Sequence, residues 1–381
     1  MKELSMRLPP FAGDYSGVAS TLFLMGGLVV IHGSDGCIGN YAGYDEPRWY
    51  GSDSMVLYSE LREIDTVLGN DEKLMRQIEE AVKIQRPAFI CIAGTPVPMI
   101  VGTDFKGIAR AVEQRTGIPS FGFPTTGFSL YDTGVSSALC AMVERFCTPA
   151  EKEPGTLNIL GADAIDFCTG KAVRSIKECC RLHGFRVIAS PGMDAGIENI
   201  RCMARASCNL VISSGGIKAA EYMKKTFGTP YLIDIPVGEK AAERTFACME
   251  EKEVPRVLMP ADNGEGNILI LGEAVTSHAI RRYLIEDCSM DGVTICTLFT
   301  PVKETMNEND TTATCEAEIE AVINGKNWRV IIGDPLCRQL IAPGRDADFV
   351  EVPHIAISSK LYWNSHIDPV TFSLKTAKEE A

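Results

Sequence analysis

Two rhythms alternate along this chain: short runs of consecutive apolar residues, and longer stretches where apolar residues return every three or four positions. The first marks strands buried on both faces and the second marks amphipathic helices. Residues 88–93 read as such a strand, and 104–116 as a helix with Ile108 and Val112 four apart and Gly117 at its C-terminal cap. Ahead of them, Asp71 caps a helix whose inner face is Leu74, Ile78 and Val82. The rhythm restarts at 157–160, a strand entering Gly161-Ala-Asp163 and a helix running to His183-Gly184. Strands follow at 185–189 and 209–213, then a helix over 217–227 and an extended segment at 231–235. A third series opens at 267–271, passes through Gly272-Glu273 into a helix bearing Ile280 and Leu284, and closes with strands at 293–299, 329–332 and 349–352.

Apolar strands separated by helices imply parallel sheets covered on both faces. The predicted fold class is therefore α/β, with three Rossmann-like or flavodoxin-like parallel-sheet units. Charged, proline-bearing segments at 148–154 and 251–266 break the pattern. They set an N-terminal unit at 1–150, a middle unit at 151–262 and a third at 263–354. The tail, 355–381, is expected to pack back on the first unit and to end in a solvated stretch.

Composition sharpens this picture in three places. With 45% hydrophobic and 23% charged residues in 381, the chain can fill several large cores. No segment reaches the roughly 18 uninterrupted apolar residues of a membrane span. Asp14 interrupts the start, and no cleavage pattern follows a basic region, so a cytoplasmic protein is expected. A net charge of −13 argues against nucleic acid as the main partner. The 14 cysteines include no CxxC pair, which removes the zinc-ribbon and thioredoxin readings. Most of them, like Cys91, sit in apolar runs as small buried hydrophobes.

Cys37 is different. In Val29-Val-Ile-His-Gly-Ser-Asp-Gly-Cys37 a strand runs into a loop holding His32, Gly33, Ser34, Asp35, Gly36 and Cys37. Parallel sheets bind ligands at such carboxyl ends, glycines allow close approach, and a thiolate suits iron or zinc. The residues alone leave two readings open: a metal loop, or a strand–turn–helix connection with an incidental cysteine. Ser213-Ser-Gly-Gly216, through its Gly215 turn ahead of a helix, offers backbone N–H groups to an anion. The aromatic stretch Tyr41, Tyr44, Trp49 and Tyr50 is either ordinary packing or a docking face. No Walker A sequence occurs, so ATP hydrolysis would belong to a partner.

His32-Gly-Ser-Asp-Gly-Cys37 resembles the HG-x-x-GC loop of nitrogenase component 1 subunits and of their protochlorophyllide-reducing relatives. Further segments resemble the same family in order: 59–74, Ile100-Val-Gly-Thr-Asp104, Pro124-Thr-Thr-Gly-Phe128, Asn158-Ile-Leu-Gly161, 209–230, Ile270-Leu-Gly-Glu273, Gly333-Asp-Pro335 and Val352-Pro-His354. The resemblance implies that Cys37 ligates an iron–sulfur cluster of the 4Fe–4S type at a subunit interface. His32, Gly33, Ser34 and Gly36 would line that cofactor.

The family supplies three interface cysteines per subunit. The positions matching the first (10–14) and the third (Thr95-Pro96) carry none here. One cysteine cannot hold a cubane. A second chain, identical or paralogous, would therefore share the cluster, or Asp35, Asp14 or an exogenous ligand would complete it. Where the family anchors its iron–molybdenum cofactor by cysteine, this chain has Ser213. His354 lines up with the family's cofactor histidine and is the candidate catalytic residue of an interdomain cavity. The missing thiolate counts against iron–molybdenum cofactor and against dinitrogen reduction. The resemblance thus implies a nitrogenase-like oxidoreductase subunit that takes electrons from an ATP-dependent iron protein. The alternatives are a scaffold or carrier for metallocofactor assembly, and a cluster-poor partner of a cysteine-richer paralogue.

Overall fold

The structure is a computed structural model; it describes residues 5–374 except 70, 195, 252, 263 and 265. The dozen residues expected as a solvated end, 370–381, are not solvated throughout: Phe372 is buried edge-on against Tyr283, and 375–381 lie outside the described residues. Among the described residues, thirteen strands form three sheets, and every pairing within them is parallel.

The first sheet has the order β2-β1-β3-β4, from β1 (Leu28–His32), β2 (Met55–Tyr58), β3 (Ile90–Gly94) and β4 (Ser120–Phe123). The second has the order β6-β5-β7-β8, from β5 (Glu153–Leu160), β6 (Arg186–Ala189), β7 (Ala206–Val211) and β8 (Tyr231–Ile233). The third is β11-β10-β9-β12-β13, from β9 (Ile268–Gly272), β10 (Val293–Thr297), β11 (Thr311–Thr312), β12 (Val330–Gly333) and β13 (Asp348–Glu351). The α/β class and the parallel sheets expected from the apolar runs are what the chain adopts. β1, β3 and β10 are buried along their whole length, as strands covered on both faces must be. Among the described residues, no helix is long and apolar enough to cross a membrane.

Two differences from the sequence reading have clear causes. The single helix expected after Gly161 is two, Ala164–Phe167 and Lys171–Leu182, because Cys168 and Gly170 take positive φ of 52° and 81° between them. The stretch after Cys37 is a core element: Tyr41 is buried, opens a π-helical turn (Tyr41–Asp45), and packs edge-on against Phe23 and Trp49. Tyr44 and Tyr50 remain exposed.

The units are tied together by polar contacts as well as by apolar cores. Helix Asp14–Leu22 crosses helix Tyr131–Phe146 backbone against backbone. A Cβ on Gly17 would lie 1.9 Å from Tyr131 O, and one on Gly134 would lie 1.9 Å from Asp14 O. That crossing fixes the start of the second helix, and Tyr131 with it. Arg48 spans two units, donating to Ser20 O at 2.7 Å and to Gly192 O at 2.7 Å while paired with Glu46. The segment beyond β13 returns to the first unit, where Ser359 Oγ donates to Tyr44 O at 2.9 Å. It also touches the middle and third units through the Ser175–Asp368 hydrogen bond and the Tyr283–Phe372 ring contact.

Candidate functional site

The carboxyl ends of strands from all three sheets deliver side chains to one buried junction, the place where parallel sheets present their ligand-binding loops. From the first unit comes the start of helix Tyr131–Phe146, with Tyr131 and Asp132. Asp163 follows β5, caps helix Ala164–Phe167 by accepting from Ile165 N at 2.8 Å, and orients Asp166. Glu273 follows β9 and caps helix Ala274–Glu286; Asp334 follows β12 and caps Pro335–Leu340; His354 follows β13 and caps Ile355–Ser358. Four helix starts, all favoured by side-chain acceptors, thus place three carboxyl groups and an imidazole around one point.

Asp166 Oδ1 is the hub. It receives Tyr131 OH at 2.5 Å and lies 3.0 Å from His354 Nε2. His354 Nδ1 accepts from Ala356 N at 3.2 Å, so Nε2 carries the ring proton and donates to Asp166. Phe299 closes the apolar side, 4.8 Å from the His354 ring and 5.1 Å from that of Tyr131, centroid to centroid. Asp132 Oδ2 accepts from Thr300 N at 2.8 Å, linking the first unit to the third. Asp334 Oδ2 holds His354 N at 2.8 Å.

Burial dominates the titration here. It holds the Asp163 carboxyl well above the usual range, with repulsion from Asp166 adding to it. It pushes Asp166 up to about 7, raises Glu273, and holds His354 below its ordinary value against the pull of the surrounding carboxylates. His366 was not anticipated from the sequence. Its ring lies against the Asp166 backbone and the field of His354, and burial brings it down to about 4.

The expected site residues fall into two groups. His354, Ser213 and Gly215 belong to the junction. Ser213 Oγ donates to Gly161 O at 2.8 Å, and Gly215 packs against Val135. The anion on the Ser213–Gly216 turn is the protein's own, since Ser214 N donates to Glu273 Oε1 at 2.9 Å. The other residues lie at the carboxyl edge of the first sheet. His32 ends β1, buried, with Nδ1 2.8 Å from Ser59 Oγ, and burial brings it down to about 4. Gly33 is required by contact, since a Cβ there would lie 2.0 Å from Thr95 Oγ1. Ser34 is half-buried, and Gly36 is open to solvent. Asp35 and Cys37 lie in the short helix Asp35–Asn40, and their side chains are outside the described residues. Asp14 accepts from Thr126 N at 2.9 Å, Gly127 N at 2.7 Å and Tyr15 N at 2.9 Å, which gives its carboxylate an architectural task.

An iron–molybdenum-type cofactor does not fit the junction as built. Ser213 is committed to a carbonyl, both nitrogens of His354 are engaged, and five buried carboxyl groups would face a polyanion. Among the described residues, no group of three or more His, Cys, Asp or Glu is arranged to hold a metal ion.

A three-sheet protein with its strand ends gathered on a central junction defines a recognisable architecture. The family model described as nitrogenase component 1 type oxidoreductase matches residues 15–256, and the chain belongs to that family. The nitrogenase molybdenum-iron protein alpha chain of Methanosarcina barkeri is 25% identical over 238 residues, 58% of this chain and 43% of that one. The nitrogenase iron-molybdenum cofactor biosynthesis protein NifE of Clostridium pasteurianum is 28% identical over 178 residues, 46% of this chain and 38% of that one. The chain therefore spans less than half the length of these curated relatives. A solved structure titled "Nitrogenase Cp1 at pH 6.5" shares the fold, with a TM-score of 0.73 at 15% identity, covering 100% of this chain and 93% of that one.

Proposed function

We propose that this chain is an iron–sulfur-associated subunit of a nitrogenase-like oxidoreductase. It receives electrons from a separate ATP-dependent iron protein and reduces a substrate at the three-unit junction beside His354. The observation that carries the reading is the short path between the two candidate regions. The π-helical turn that follows the Cys37 helix is held by Ser359, five residues beyond His354, through its bond to Tyr44 O at 2.9 Å. Ala12 O meanwhile accepts from Tyr131 N at 3.0 Å, and Ala12 N donates to Ala356 O at 2.9 Å.

With one thiol at that edge, a 4Fe–4S-type cluster is completed by a second chain, identical or paralogous. When bound, such a cluster stores and passes single electrons. The chain's own part is to bury the junction, to hold the His354 Nε2 proton against Asp166, and to exclude water with Phe299. The second reading, a scaffold for cofactor assembly, draws on the relatives named for iron-molybdenum cofactor biosynthesis and on the committed state of His354.

Anaerobic reconstitution with iron and sulfide, followed by EPR after reduction, tests the proposal on wild type and Cys37→Ala. Roughly four irons per pair of chains, lost in the variant, is the expected result. A colourless, iron-free wild type overturns it. Repeated substrate reduction with an iron protein separates the catalyst from a scaffold, which gives up a bound cofactor once.

A further inference from the structure

The junction holds two carboxyl oxygens that no described residue satisfies. Asp163 Oδ2 and Asp166 Oδ2 are both buried, and neither has a donor among the described residues. Their other oxygens are fully used, Asp163 Oδ1 by Ile165 N and Asp166 N, Asp166 Oδ1 by Tyr131 OH and His354 Nε2. The two side chains are in hydrogen-bonding contact with each other. Among the described residues, the one ion-pair partner of either is His354. Arg48, whose charge reaches Asp163, is committed to Glu46. Among the described residues, the other titratable groups facing the pair are acidic or neutral: Asp132 and Glu273, the Tyr131 phenol and the His366 imidazole.

Two ionised carboxylates in contact, buried without a cation, would leave both outer oxygens uncompensated, which is costly in a low dielectric. One proton held by the pair removes one of the two charges. We propose that Asp163 and Asp166 share a single proton, donated from Asp163 Oδ2 to Asp166, and that this pair is the proton donor of the junction. A substrate that is protonated there takes that proton; the pair passes from monoanion to dianion and is reprotonated from solvent. Asp166 already touches Tyr131 and His354, so the proton store is one hydrogen bond from the candidate catalytic histidine. The use of the proton rests on the reductive role proposed above; its presence does not.

The test is infrared spectroscopy of the full chain in H2O and D2O at pH 8, where Asp45, which burial lifts to about 7, is mostly ionised. A protonated-carboxyl band that shifts in D2O, disappears in Asp163→Asn and moves in Asp166→Asn is expected. A wild type without such a band, or a band unchanged in both variants, overturns the proposal. Should the variants fail to fold, carbon-13 NMR titration of aspartate-labelled wild type decides. Two coupled steps, one of them above pH 8, support it, and titration of every aspartate complete below pH 8 overturns it. A band without turnover would leave the shared proton standing and sink the reductive role, and turnover without the band would do the reverse.

Discussion

Helix Ala274–Glu286 meets buried charge at both of its ends, and it handles the two cases differently. Its capping residue, Glu273, belongs to a junction of five carboxyl groups that has no ion-paired Lys or Arg among the described residues. About 13 Å along the axis, Arg281 and Arg282 are buried among matched anions. Arg281 pairs with Asp310 at 2.6 Å; Arg282 pairs with Asp234 and with Glu286 at 3.0 Å, and donates to Ala241 O at 3.0 Å. The cationic end is therefore balanced by opposite charge, and the acidic end by backbone N–H groups and protons. The first arrangement locks the middle unit to the third. The second leaves a site whose charge state can change.

The largest effect follows from breaking the matched end. Arg282→Ala strands Asp234, a carboxyl that burial already pushes upward against the pull of Arg282. A loss of about 3–5 kcal/mol is expected in denaturant unfolding, the range for a buried pair that keeps one partner. A loss below about 1 kcal/mol would mean that the guanidinium is not what balances Asp234.

The next effect uses pH, and the two ends should respond with opposite slopes. Asp166 titrates near 7 in the fold against 3.8 in the unfolded chain, so its contribution is full below pH 4 and is lost as pH rises through 7. His278, beside Arg281 at 3.2 Å, is brought down to about 3 from 6.5 by burial first and then by the neighbouring guanidiniums. Its contribution is present above pH 6.5 and is lost as pH falls toward 3. Each proton sets a slope of at most about 1.4 kcal/mol per pH unit. In stability profiles from pH 4 to 7, Asp166→Asn should remove a fall in stability with rising pH, and His278→Asn should remove a rise. A change of slope in the same direction in both variants would erase the distinction between the two ends.

The three parallel sheets were legible because their central strands are largely apolar, unbroken in β3 (Ile90–Gly94) and interrupted only by Asn158 and Asn209 within 157–160 and 208–211 of the second sheet, and that signal survives without any knowledge of tertiary contacts. The junction was legible only in fragments. Gly161-Ala-Asp163 and Gly272-Glu273 read as strand ends passing into helices, Gly333-Asp-Pro335 and Val352-Pro-His354 only as family-like segments, and each supplies a capping residue to the site. A cap looks the same in sequence whether it faces solvent or three other caps. Their convergence is a property of how three sheets pack. The shared end of parallel strands was nevertheless a usable clue, because four polar caps at carboxyl ends are four candidates for one crevice. Asp132, Asp166 and His366 had no such marker: one opens a helix, one lies inside a four-residue helix, and one sits in the returning tail. Both edge strands of the first sheet went unmarked: Ser120 and Gly122 break the apolar run of β4, and β2, though unbroken from Met55 to Tyr58, is a four-residue, partly exposed edge.

The smallest effect asks what neutralises the acidic end. Ser214 meets the junction twice, through a backbone N–H 2.9 Å from Glu273 Oε1 and through a hydroxyl 3.3 Å from Asp132 Oδ2. Ser214→Ala removes only the hydroxyl. Asp132 keeps Thr300 N at 2.8 Å and Thr133 N at 2.9 Å, and Glu273 keeps both Ser214 N and Thr276 N. If backbone donors carry the balance, the variant should lose no more than about 1 kcal/mol, the net worth of one ordinary hydrogen bond. Its slope between pH 4 and 7 should also match that of the wild type, because the Asp163–Asp166 contact is untouched. A loss of about 2 kcal/mol or more in chemical denaturation would assign the balance to side-chain hydroxyls. The junction would then resemble the matched cationic end, with stability resting on particular side-chain partners.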